Sequence, residues 1–163
     1  MMGKEAILTD ETIKNIIQSR KYVKDSIDLD HMQLSEDGRF RKKKYELVCD
    51  EYDCKIVIRQ NTDRPDNFSI ILIYKDISKG EIPIIRFNGN HGSHRNRIEN
   101  ETINGPHIHI MTERYQLHST HPDGFAEPAN GYKDLEGAFK LFLERVNISD
   151  IKLKDTKKLE DFQ

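Results

Sequence analysis

Apolar residues recur along this chain at two different periods, and the change between them separates a helix, a run of strands and a second helix. Over residues 9–23, Ile13, Ile16, Ile17 and Val23 fall on one helical face. Thr9 or Asp10 can N-cap that helix. Acidic residues come early and Arg20, Lys21 and Lys24 late, the order the helix dipole favours. Residues 25–38 are polar and end in the turn pair Asp37-Gly38. Period two then takes over. Residues 44–49 and 54–60 alternate on either side of a turn, which predicts a hairpin. A loop containing Pro65 follows, and residues 69–74 are apolar on both faces, as in a central strand. The turn Ser78-Lys79-Gly80 leads to a fourth strand at 84–87.

Residues 88–105 are rich in Gly, Asn, His and Arg, and a connection of that length is often functional. A fifth strand is expected over 107–116 and a polar loop over 118–131. A helix is expected over 134–146, where Leu135, Ala138, Phe139, Phe142 and Val146 repeat at helical spacing. The fold class expected is α+β: one antiparallel-rich sheet of about five strands with an N-terminal and a C-terminal helix packed on it. It forms a single domain over residues 1–148, followed by a charged tail at 149–163.

A length of 163 residues suits one core. With 36% hydrophobic and 33% charged residues, the chain reads as a soluble globular protein. A net charge of −2 gives no overall basic signature, so contact with nucleic acid has to come from a local patch. No apolar run approaches the ~20 residues that cross a bilayer, and no signal-peptide pattern opens the chain. No membrane partner is expected, and the cytoplasm is the expected compartment. Cys49 and Cys54 flank the hairpin turn. Without CxxC spacing or an export signal they read as reduced structural thiols.

Histidine sharpens this picture. Six of the 7 histidines lie between His91 and His121, in GNHGSHRN (89–96), PHIHIMTERY (106–115) and HSTH (118–121). Imidazole exchanges protons near neutral pH and ligates transition metals. Arg86, Arg95, Arg97, Arg114 and Tyr115 share the window and suit phosphate. If 107–116 is a regular strand, His107 and His109 share one face while Ile108 and Ile110 fill the core. The bland alternative is that both imidazoles decorate a solvated sheet face.

The segments IRQN (58–61) with PDNFS (65–69), RFNGNHGSHRN (86–96), HIH (107–109), TERY (112–115) and DGFAE (123–127), followed by the Tyr132 helix, resemble a family of small proteins of unknown function from Gram-positive bacteria and their mobile elements. The likeness covers roughly residues 45–148. It implies one fold and one site location, and no activity comes with it.

Three functions are open to this constellation. The first is metal-free cleavage of RNA, which needs a base for the 2′-hydroxyl, an acid for the leaving 5′ oxygen and cations for the phosphorane. His107 with His109 or His94 would carry the protons. Arg114, with Arg59 or Arg86, would clamp phosphate, and Tyr115 would hydrogen-bond it or stack a base. Asn61, His91, Asn96 and Glu113 complete the expected substrate-binding set. The basic run RFRKKK (39–44) would add backbone contact, or is simply a lysine-guarded strand edge. The second function is a metal-dependent hydrolase with ligands drawn from His91, His94, His107 and His109, and Glu113 or Glu127 as base. The third is a non-catalytic module that captures a nucleotide, a nucleic-acid backbone or a partner protein.

His118 and His121 look like parts of a surface turn. Asp123 and Glu127 could orient a histidine or cap a loop, and His31 has no assigned role. The expectation carried forward is a metal-independent ribonuclease of toxin or phage-defence type, with no cofactor and with RNA or a nucleotide as partner. A cognate antitoxin or inhibitor protein and a homodimer are open as further partners.

Overall fold

The computed structural model describes residues 7–90, 92–119, 121–122 and 124–149. Thr9 caps α1 (Asp10–Gln18), its hydroxyl accepting from Thr12 N, and Ile13, Ile16 and Ile17 are buried as their spacing predicts. The helix is shorter than expected. Ser19 closes it, and β1 (Lys21–Val23) pairs antiparallel with β3 (Phe40–Cys49). β2 (Gln33–Leu34) also pairs with β3, whose partner on the other side is β4 (Cys54–Asn61). β5 (Phe68–Asp76) and β6 (Gly80–Asn88) continue the meander.

The expected long loop at 88–105 folds into a separate hairpin, β7 (Ser93–Asn96) and β8 (Glu101–Asn104), whose turn holds Asn100 at φ 58. β9 (His107–Ile110) then pairs with β6. The fifth strand stops there, because the Thr112 hydroxyl captures Tyr115 N and starts α2 (Glu113–His118). The expected loop at 118–131 contains β10 (Ala126–Pro128), paired with β9. α3 (Leu135–Arg145) starts at its N-cap Asp134 and leads into β11 (Ile148–Ser149). Residues 150–163, most of the expected tail, lie outside the described residues.

The class is α+β, with a larger sheet than the expected five strands. Nine strands join in the order β10-β9-β6-β5-β4-β3-β1-β11, with β2 attached to β3, and the β1–β11 pair is parallel, so the sheet is mixed. The added strands are two or three residues long, too short to show a period.

Register explains the two faces. Tyr45, Ile56, Leu72 and Ile85 form one cross-strand row, and Ile58, Ile70, Phe87 and Ile108 form the next. These rows join one core cluster with the apolar sides of α1 and α3. Phe142 of α3 meets Phe87 edge-on at 5.4 Å. The opposite face carries the rows Lys42-Arg59-Ser69-Asn88-His107 and Lys44-Val57-Ile71-Arg86-His109. No helix among the described residues is long and apolar enough to cross a membrane.

Lys21, expected in the last turn of a helix, is fully buried in β1. Its ammonium donates to Ile17 O at 2.9 Å, Ser19 O at 2.7 Å and Val146 O at 2.7 Å. One cation thus satisfies carbonyls at the C-terminal ends of both α1 and α3. Burial pushes its pKa down to about 8, offset in part by Cys54 and Cys49. Between that value and the unfolded value of about 10.4, the unfolded chain binds the proton more tightly, so this group makes folding more favourable as pH rises. Lys21→Met should cost roughly 1.5–3 kcal/mol near neutrality. The gap in Tm between wild type and variant should widen from pH 8 to pH 10, and a constant gap would contradict the assignment. Cys49 and Cys54 are free thiols, and burial pushes Cys54 up to about 12.

Candidate functional site: a histidine and arginine cleft

The site begins at a glycine. A Cβ on Gly89 would lie 2.1 Å from Asp66 O and 2.6 Å from the Phe68 ring. Its N–H bonds Phe68 O at 2.9 Å, so the end of β6 is pressed against the 66–68 segment before the chain turns into the hairpin. Asn96 docks that hairpin. It is buried, its Oδ1 accepts from Ala126 N at 2.8 Å and its Nδ2 donates to Ala126 O at 2.7 Å, one rung of a strand ladder made by a side chain. His94, two residues earlier on the same side of β7, is thereby held against β9.

Three imidazoles meet there. The His94 ring lies 4.5 Å from that of His109 and 5.4 Å from that of His107, and the two β9 rings are 4.9 Å apart. One ring nitrogen from each falls within 4.8 Å of the others, a trio that could hold a metal ion. The solvated-face alternative fails for His107, which is 0% exposed. His109 is half-buried.

Hydrogen bonds fix two of the tautomers, since a carbonyl only accepts. His107 Nδ1 donates to Gly105 O at 2.9 Å, which leaves Nε2 with the lone pair, 3.4 Å from Asn88 Nδ2. Gly105 reaches this position at φ +81, a conformation suited to glycine. His94 Nε2 donates to Gly124 O at 2.6 Å and to Asn96 Oδ1 at 3.1 Å. The Asn96 amide is oriented by Ala126, so the His94 lone pair sits on Nδ1.

His94 and His109 line a cleft of about 340 Å³ together with Arg86, Arg95, Arg97 and His121. No carboxylate lines it among the described residues. Arg86 is the cross-strand partner of His109. A neighbouring hollow of about 330 Å³ shares Arg86 and contains Arg59, whose guanidinium covers the Phe40 ring at 3.9 Å.

Several expected residues serve structure instead. Arg114, now on α2, pairs with Glu99, which also takes the hydroxyl proton of Tyr115. Tyr115 is buried, and it lines the cleft although its hydroxyl also accepts from Ile98 N. Glu113 accepts from Asp10 N at 2.7 Å while Asp10 accepts from Glu113 N at 2.9 Å, so it ties the N-termini of α1 and α2 together. Asn61 holds its own turn through Asp63 N and Arg64 N. Asn96 is the hairpin's dock. Glu127 is register partner to Ile108 and pairs with Arg145, so it faces away from the histidines. His91 and Asp123 lie outside the described residues.

Sequence reasoning undervalued His121, and it marked Arg95 and Arg97 as suited to phosphate without giving them a role in the site. It also missed Glu99, for which no local signal exists, because its role depends on α2 coming back over the hairpin turn.

An α+β protein with three clustered imidazoles beside three guanidinium groups is the class that fold and site define. The chain belongs to the family of unknown function DUF6978, whose model matches residues 8–148. No curated protein and no solved structure matches it.

Proposed function

We propose that the protein binds a phosphorylated ligand in this cleft and cleaves a phosphodiester there, with RNA or a nucleotide as substrate class. The observation that carries this reading is the lining itself: Arg86, Arg95 and Arg97 beside His94 and His109, with no carboxylate among the described residues. Guanidinium forks match phosphate oxygens, and a cleft of this size accepts a nucleotide. The flank favours RNA over a free nucleotide. Arg59 on Phe40, with exposed Lys42 and Lys44 on the same face, offers a track for neighbouring phosphates and a surface for stacking.

In the cleavage step the attacking 2′-hydroxyl gives its proton to the His94–His109 pair, and its oxygen bonds phosphorus as the bond to the 5′ oxygen breaks. That oxygen takes a proton back from the pair or from water. His109 and His94 face the cleft and are the groups that activate the nucleophile. His107 is buried and positions them. The rings touch, so the trio acts as one unit and does not flank a phosphate as two separate proton carriers would. A ribonuclease of toxin or phage-defence type, restrained by a cognate antitoxin or inhibitor protein, is the setting we propose with it. A binding-only role is the second reading, favoured by the lack of a carboxylate base among the lining residues described.

Purified protein incubated with RNA and with nucleotides, assayed for binding and for cleavage, separates the two. Arg95→Ala should weaken binding about 10- to 100-fold, the loss of a charge-assisted hydrogen bond. Arg114→Ala, outside the lining, should change it far less. Equal effects of the two substitutions would place the phosphate elsewhere.

A further inference from the structure

We propose that His94, His107 and His109 hold one divalent transition metal of the zinc class, bound through His94 Nδ1, His107 Nε2 and a ring nitrogen of His109. The site rests on the phosphate reading only for what its open position would meet. Metal binding itself stands on separate observations.

The first is distance. Ligand atoms within 4.8 Å of one another need to close by about 1–1.5 Å, since three nitrogens at about 2.0–2.1 Å from a tetrahedral ion lie roughly 3.3 Å apart.

The second is the arrangement behind the ligands. Metal-binding histidines donate their other N–H to a carbonyl or carboxylate, which fixes tautomer and ring plane. His107 does this through Nδ1 to Gly105 O and His94 through Nε2 to Gly124 O. Those carbonyls come from separate loops and select opposite nitrogens on the two rings. Coordination at His107 Nε2 would replace the long Asn88–His107 contact of 3.4 Å.

The third is ligand type. Three imidazoles, with no carboxylate beside them among the described residues, suit zinc and its transition-metal neighbours, whereas magnesium and calcium require oxygen. Three protein ligands leave a fourth position. His94 and His109 border the cleft, so that position opens toward the arginines. Bound there, the metal would polarise a phosphoryl oxygen or lower the pKa of a water, and His94 and His109 would then activate the nucleophile through it instead of as free bases.

The test uses full-length protein purified without a histidine tag, stripped with chelator and titrated with Zn²⁺. Wild type should bind one equivalent, and its Tm should rise with the logarithm of free metal once that exceeds the Kd. It should give the visible absorption of tetrahedral cobalt when Co²⁺ is used instead. His94→Ala and His109→Ala, each half-buried and expected to fold, should each lose all three signals, while the exposed control His118→Ala keeps them. Failure of wild type to bind at one equivalent overturns the site, as does one-equivalent binding that survives both substitutions. Arg95→Ala should bind zinc normally. Metal loss with intact RNA binding therefore removes only this site, and zinc binding without RNA binding removes only the phosphate reading.

Discussion

His109→Ala is expected to reduce RNA cleavage by about 10²- to 10⁴-fold, whether the ring moves the proton itself or holds the metal that activates the nucleophile. His109 borders the cleft and is half-buried, so Tm should move little. His107→Ala should behave differently. That ring has no exposed surface, and its removal leaves the Gly105 carbonyl and the Asn88 amide without their partner inside the fold. Stranding buried polar groups costs about 1–3 kcal/mol, which lowers Tm by several degrees at roughly 2–4 °C per kcal/mol. Activity should fall as well, because His107 supports the other two rings. Paired measurement of kcat and Tm checks the split between the two histidines. Equal effects on Tm would contradict the burial difference.

The second large effect is expected at Gly89. An added methyl would collide with the Asp66 carbonyl and the Phe68 ring, and no side-chain rotation relieves a backbone clash. Gly89→Ala should cost roughly 3 kcal/mol, the upper end of overpacking. It should also disable the cleft, because the hairpin carrying His94 leaves the sheet there. Gly92 has open space around its missing Cβ, but its φ of +116 means that alanine there is strained for conformational reasons. Gly92→Ala should therefore leave the sheet intact and be the milder of the two. Thermal melts of both variants test the contrast, and a mild Gly89→Ala would show that the 66–68 segment yields.

Much of the core was legible from the chain. Long strands with period two and helices with period 3.6 announce themselves, which is why β3 to β6 and α3 lie close to where the pattern puts them. Short edge strands do not. Two or three residues paired at a sheet edge have no period, and their existence depends on a neighbour distant in sequence, as when Lys21 pairs with Ile148. Thr112 shows a third kind of limit. Alternation up to Ile110 invites the strand to continue, and a single hydroxyl that caps a helix ends it.

The site divides in the same way. His107 and His109 on a shared face follow from strand geometry alone, and His94 joins them only because the Asn96 side chain replaces a strand rung against Ala126. Arg114 and Tyr115 looked like phosphate ligands by type. Glu99 takes both, and nothing near Glu99 in sequence announces that.

The central claim is that the arginines of the cleft receive RNA phosphates. Its most direct test is the salt dependence of single-stranded RNA binding to wild type and to Arg95→Ala/Arg97→Ala. Each neutralised phosphate contributes about 0.7 to the slope of log K against log salt. The double variant should therefore lose about 1.4 from that slope while keeping its Tm. An unchanged slope, or wild-type protein with no salt-dependent RNA binding, would contradict the account.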